Sequence, residues 1–117
     1  MKIVNLEEFR KLPAGTVFSK YEPCVFDGLM VKGDTWSHDF LYQDLIGNIE
    51  ADGSKQYFEK CEQMQAGFSA DLDFDCLERD GLFEKDQLFA VYEPYDLEQL
   101  IGRLQKASIA MNKHEDK

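Results

Sequence analysis

The sequence predicts an α+β domain, with a mostly antiparallel, curved sheet of about five strands packed by two helices and a short helix at its amino-terminal edge. Three observations carry the expectation. Thr16 to Ile46 is dense in β-branched and aromatic residues and punctuated by Pro and Gly, as a β-meander is. Leu88-Phe89-Ala90-Val91-Tyr92 is apolar on both faces, the pattern of a central strand. Two segments, one from about Ser54 to Gln65 and one after Pro94, repeat apolar residues at helical spacing. The 117 residues fit one domain. A chain of that size buries roughly two thirds of its unfolded surface, enough for a core without disulfides or metals.

Taken in order, Asn5 and Glu8 form a capping box for the first helix, with Val4 and Phe9 at the staple positions. Pro13 and Gly15 end that helix after about two turns. So short a helix is marginal alone and must pack its Leu6, Phe9 and Leu12 face on the domain. In the meander, Thr16–Tyr21, Cys24–Phe26, Leu29–Lys32 and Phe40–Ile46 read as strands, with Glu22-Pro23 as an interruption. Asp27-Gly28 is a type I′ hairpin turn or a glycine bulge, and Gly33-Asp34 marks a further turn. Tyr57, Phe58, Cys61 and Met64 make the stripe of the second helix, and Gly67 suits the left-handed residue after it. Phe68 to Cys76 alternates strictly, which reads as a half-buried strand with Leu72, Phe74 and Cys76 inward and Asp71, Asp73 and Asp75 outward. Asp96 and Gln99 form the box of the last helix, which buries Leu97, Leu100, Ile101 and Leu104 and frays from about Met111.

Charge narrows the function classes. The net charge is −10, and residues 68–98 alone carry 2 basic and 10 acidic side chains. No basic cluster exists to displace counterions, so direct nucleic-acid binding and an anionic membrane surface are both disfavoured. No apolar run approaches the ~20 residues needed to span a bilayer, and the amino terminus turns acidic at Glu7 without a signal-peptide core. The chain reads as cytosolic. Cys24, Cys61 and Cys76, an odd count without paired spacing, read as reduced thiols.

Motifs that carry chemistry are missing or incomplete. Asp71, Asp73 and Asp75 resemble the start of a calcium loop, but the sixth and twelfth positions are Cys76 and Leu82 where Gly and Glu are needed. The cysteines with His38 and His114 lack zinc-knuckle spacing. Cys24 with His38 is the best nucleophile–base candidate, although neighbouring carboxylates raise a thiol's pKa. Gly28, Gly33, Gly47 and Gly53 are isolated, with no phosphate-binding loop. No cofactor and no metal ligand set is expected. Trp36, in a polar segment, is the best candidate for an exposed aromatic anchor.

The acidic stretch stands out most. Asp71, Asp73 and Asp75 recur along one strand face, and Glu78, Asp80, Glu84 and Asp86 add charge in the loop that follows. Carboxylates ~7 Å apart repel by roughly 0.6 kcal/mol in water, a small cost that contributes nothing to folding. The ordinary reading is a solubilising surface; the functional reading is a surface for a basic partner.

Three stretches carry a resemblance: Glu22-Pro23-Cys24-Val25-Phe26 into Gly28-Leu29, Asp73-Phe74-Asp75-Cys76 through Asp80-Gly81-Leu82-Phe83, and Gln87-Leu88-Phe89-Ala90-Val91-Tyr92. They resemble short accessory proteins encoded by phages and prophages. The resemblance implies a stoichiometric inhibitor of a host nucleic-acid-binding machine, anti-CRISPR proteins being the best-known class, and carries over no catalytic residue. The resulting expectation is a non-enzymatic interaction domain. Its partner surface would be Asp71, Asp73, Asp75, Glu78, Asp80, Glu84, Asp86 and Trp36, set against a basic protein surface. A pocket protein using Cys24 or His38, and an assembly subunit using exposed aromatics, are the alternatives. The oligomeric state is left open.

Overall fold

The computed structural model describes residues 1–36, 39–75, 78–79 and 85–115. Its elements are β1 (Lys2–Val4), α1 (Leu6–Arg10), β2 (Val17–Glu22), β3 (Val25–Phe26), β4 (Met30–Trp36), β5 (Asp39–Asp44), α2 (Gly53–Gln65), β6 (Glu78–Arg79), β7 (Leu88–Val91) and α3 (Pro94–Glu115). One sheet runs β1-β7-β2-β4-β5-β6, every pairing antiparallel. The two residues of β3 pair with the end of β2. The α+β class and the antiparallel sheet are those the sequence predicts. β7 lies between β1 and β2, so the doubly apolar segment is an interior strand as expected.

Local chemistry explains the boundaries. The Asn5 side chain accepts from the Glu8 N–H at 2.8 Å and starts α1. The first turn of the meander lies at Pro23-Cys24 rather than Asp27-Gly28: Glu22 pairs with Val25, and Cys24 takes the positive φ of 68°. Proline presets the residue before it, and the Tyr21 hydroxyl accepts from the Cys24 N–H at 3.2 Å, which offsets the strain. Gly33-Asp34 is not a turn. It is a bulge inside β4, where the pairing with β5 slips between Lys32 and Thr35. Gly67 has φ 100°, the left-handed position expected after α2.

α3 begins earlier than its cap pattern suggests. The Glu93 carbonyl accepts the first helical hydrogen bond from Leu97 N–H, and the Asp96 carboxylate accepts from the Glu93 N–H at 2.9 Å. Glu93 is therefore the cap, Pro94 the first helical residue, and Asp96 the reciprocal member of the box. Asp96 and Glu93 also hold the Met1 ammonium at 2.5 and 3.1 Å. These carboxylates raise the amino group's pKa above 8.0, and the ammonium, ahead of the Glu93 N–H, holds the Asp96 carboxyl below 3.8. The helix continues through Glu115, beyond the point where the polar tail suggests fraying.

The core sits between α1 and one face of the sheet. Val4, Leu6, Phe9, Phe18, Met30, Phe40, Phe89 and Val91 form it, with Leu12 and Tyr42 against its rim. The Phe9 ring stacks on Phe89 at 4.1 Å and meets Phe18 and Phe40 edge-on at 4.6 and 4.9 Å. Each buried ring contributes about 1.5–3 kcal/mol by area, and each good ring pair about 0.5–1.5 more. The shortest helix therefore supplies the packing expected of the two longer ones. No α2 residue is buried, and Ile101 and Leu104 of α3 are exposed. Periodicity shows which helix face is apolar; it does not show what covers that face.

Candidate functional site

The first three acids of the stretch, Asp71, Asp73 and Asp75, belong to a lobe built from residues 46–75. A single antiparallel bridge, Ile49 to Leu72, ties its two arms together. Asp73 N–H donates to the Asn48 carbonyl and Glu50 N–H to the Asp71 carbonyl, both at 2.8 Å. The arms approach so closely that a Cβ on Gly47 would stand 1.6 Å from the Asp73 carbonyl oxygen, so only glycine fits there. Lys60 of α2 donates to the Glu50 carbonyl and holds the helix to the same arm.

This arrangement corrects the expected strand over 68–76. One bridge gives alternation no sheet to bury against, and the apolar set turns to solvent: Phe68 is 68 % exposed, Leu72 43 % and Phe74 60 %. Cys76 lies outside the described residues. Asp71 and Asp75 are exposed and Asp73 is half-buried, its carboxylate accepting from Asp75 N–H at 2.9 Å. The three acids therefore do not form a row at strand spacing. They are interleaved with exposed phenylalanine and leucine. Among the described residues, no lysine or arginine forms an ion pair with Asp71, Asp73, Asp75 or Asp86.

The remaining predicted residues lie on other elements or outside the described residues. Glu78 in β6 accepts from the Tyr42 hydroxyl at 3.1 Å across the β5–β6 pairing. Asp86 is exposed in the turn before β7. Asp80 and Glu84 lie outside the described residues. Trp36 ends β4 opposite Asp39, and its side chain lies outside what is described. Cys24 is exposed at the β2–β3 turn, and its expected partner His38 lies outside the described residues. Among the described residues no three His, Cys, Asp or Glu side chains gather as a metal site.

Clefts among the described residues include one of about 520 Å³ along α3, lined by Glu98, Gln99, Leu100, Gly102, Arg103 and Lys106, and two that join separate elements. One, of 340 Å³, lies between the start of α3 and the sheet, lined by Met1, Leu29, Tyr92, Leu97 and Leu100. The other, of 350 Å³, lies beside the lobe, lined by Ile49, Ala51, Gly53, Ser54, Tyr57 and Phe58. Neither carries a nucleophile–base pair. Asp96 supplies the carboxylate of the first, and that group is committed to the amino terminus.

Sequence reasoning missed Lys32, which is only 2 % exposed. Its ammonium donates to the Thr35 hydroxyl at 2.6 Å and the Gly33 carbonyl at 3.1 Å, and the Thr35 hydroxyl donates to the Arg10 carbonyl at 2.7 Å. This relay ties the carboxyl-terminal end of α1 to the β4 bulge. Alternation with Met30 carried the signal, since the two share a face of one strand. These contacts hold α1 to the β4 bulge.

No family model, curated protein or solved structure matches this chain. Among the described residues no helix is long and apolar enough to cross a membrane. Among the described residues the fold is an open antiparallel α+β domain, with Phe68, Leu72 and Phe74 exposed between Asp71, Asp73 and Asp75.

Proposed function

We propose that this is a non-enzymatic protein-interaction domain whose acidic segment, Asp71 to Asp86, engages a basic surface on a protein that normally holds nucleic acid, as a stoichiometric inhibitor does. One observation carries the reading: Phe68, Leu72 and Phe74 are exposed among carboxylates that no described cation neutralises. Apolar surface left in water is costly, about 25 cal/mol per Å², and contiguous exposed patches mark interaction sites. Aromatic side chains anchor such interfaces, while complementary charge speeds encounter and selects the partner. An acidic surface with aromatic anchors suits a cationic protein groove with apolar walls better than it imitates a bare phosphate backbone.

The test is an affinity pull-down from the native cell, washed at rising salt, with wild type and two variants. Asn at Asp71, Asp73 and Asp75 together should weaken capture and flatten its salt dependence. Ser at Phe68 and Phe74 should weaken capture at every salt concentration. Circular dichroism should be unchanged in both, because the altered side chains contribute little to the core. Undiminished capture by both variants would remove this surface from the mechanism.

A further inference from the structure

Ile49 and Leu72 face each other as a non-hydrogen-bonded pair. On either side of it the Glu50 and Asp73 N–H groups donate to the Asp71 and Asn48 carbonyls, both at 2.8 Å. So short a ladder is weak by itself, since even a complete isolated hairpin is only marginally stable in water. Further contacts reinforce it at one residue. The Gly47 backbone lies against the Asp73 carbonyl with no room between them for a side chain. The Asp73 carboxylate accepts from the Asp75 N–H at 2.9 Å and turns the chain just past the bridge. Lys60 holds the opposite arm to α2 through the Glu50 carbonyl. Asp73 is thus engaged through its N–H, its carbonyl and its carboxylate, and it is half-buried where Asp71 and Asp75 are exposed.

We infer that Gly47 and Asp73 form a clasp that presets the binding face of the lobe, with Asp73 a positioning residue and Asp71 and Asp75 the acids that meet the partner. The inference rests on the reading of the lobe as an interaction surface and says how that surface is held. Leu72 and Phe74 flank Asp73 in sequence, and both are exposed. Pinning the backbone between them fixes the directions in which both side chains leave the chain. With the clasp open, a partner has to order Leu72 and Phe74 on contact, which weakens binding by about tenfold. The chemistry separates the substitutions. Asn at 73 keeps an oxygen that accepts from the Asp75 N–H and loses only the charge, whereas Ala loses the acceptor. Ala at 47 puts its Cβ 1.6 Å from the Asp73 carbonyl oxygen, so the arms must part.

Residue-resolved amide hydrogen exchange of the full chain, with brief chymotrypsin digestion alongside, tests this. The Glu50 and Asp73 amides should exchange about tenfold faster in Gly47→Ala and in Asp73→Ala than in the wild type. Chymotrypsin should cut after Leu72 and Phe74 several-fold faster in the same two variants. Asp73→Asn should match the wild type in both measurements. Amides of the central strands and circular dichroism should be unchanged in every variant, because Gly47 and Asp73 lie outside the core. In the salt-washed pull-down, Gly47→Ala and Asp73→Ala should bind about tenfold more weakly and Asp73→Asn as the wild type does. Wild-type Glu50 and Asp73 amides that exchange as fast as those of Gly47→Ala, or full capture by a variant whose exchange shows an open clasp, would overturn the inference. Capture lost equally in Asp73→Asn and Asp73→Ala, with the clasp closed in the first, would make Asp73 a direct contact and end its positioning role. Exchange and cleavage need no partner, so a wild type that captures nothing sinks the proposed function while the clasp is still decided by these two measurements.

Discussion

Lys32 spends its ammonium on uncharged partners, the Thr35 hydroxyl and the Gly33 carbonyl, inside the packing beneath α1. Burial holds its pKa below 10.5, an effect that the charge of Asp34 opposes only in part. The folded chain therefore releases this proton at lower pH than the unfolded chain does. Between the folded value and 10.5 the unfolded state holds more protons, so stability rises with pH across that window. Lys32→Met should remove this rise. Urea midpoints of wild type and variant, taken across the alkaline range, should converge as pH increases. Parallel curves would show that the buried amine does not titrate differently on folding. The Met1 pair works in the opposite sense: its pKa is raised, so its contribution is present below pH 8.0 and lost as pH passes the folded value. It stays in both proteins and cancels from the comparison.

At the scale of elements, packing is concentrated in one short helix. α1 has five residues, yet Leu6 and Phe9 are buried, and Phe9 touches the rings of three strands. α2 has thirteen residues and buries none. Phe9→Ala should cost about 3–5 kcal/mol, the range for a fully buried phenylalanine, which is a large share of a small domain's total stability. Phe58→Ala, with its ring 64 % exposed, should stay within about 0.5 kcal/mol of wild type. Chemical denaturation of the two variants checks both values. A cost at Phe58 comparable to that at Phe9 would mean that α2 is packed in solution. The same contrast shows why the expectation of two packing helices failed. The stripes on α2 and α3 are apolar, as their spacing predicts, and the Asn5 cap starts α1 where the sequence places it. Apolar spacing does not by itself fix burial, which follows from which side chains reach the sheet.

The whole molecule is extended. Its radius of gyration is 17.2 Å and its extents are 49 × 36 × 25 Å. A compact chain of this length has a radius near 13 Å. The excess is expected of a 22-residue helix that leaves the sheet after its first turns, since such a helix is ~33 Å long. Small-angle scattering of dilute protein should give a radius clearly above ~13 Å. A value near ~13 Å would place α3 back on the sheet and remove the free helix face.

Much of this protein is written locally. Asn5 as a cap, the alternation of the meander, the doubly apolar Leu88–Val91 and the glycine after α2 depend on neighbours in sequence, and each could be read without the fold. The surplus of acid over base in residues 68–98 is likewise a matter of counting. Whether Leu72 and Phe74 face a core or the solvent, whether Lys32 is exposed, and whether α3 has a surface to cover are decided by residues far along the chain. A strand of alternating residues buries one face only if a second strand lies beside it, and among the described residues of this segment, 68–75, one bridge forms, at Leu72. Pairing of distant segments is the step that local patterns do not encode, and that step placed the aromatic side chains among the acids.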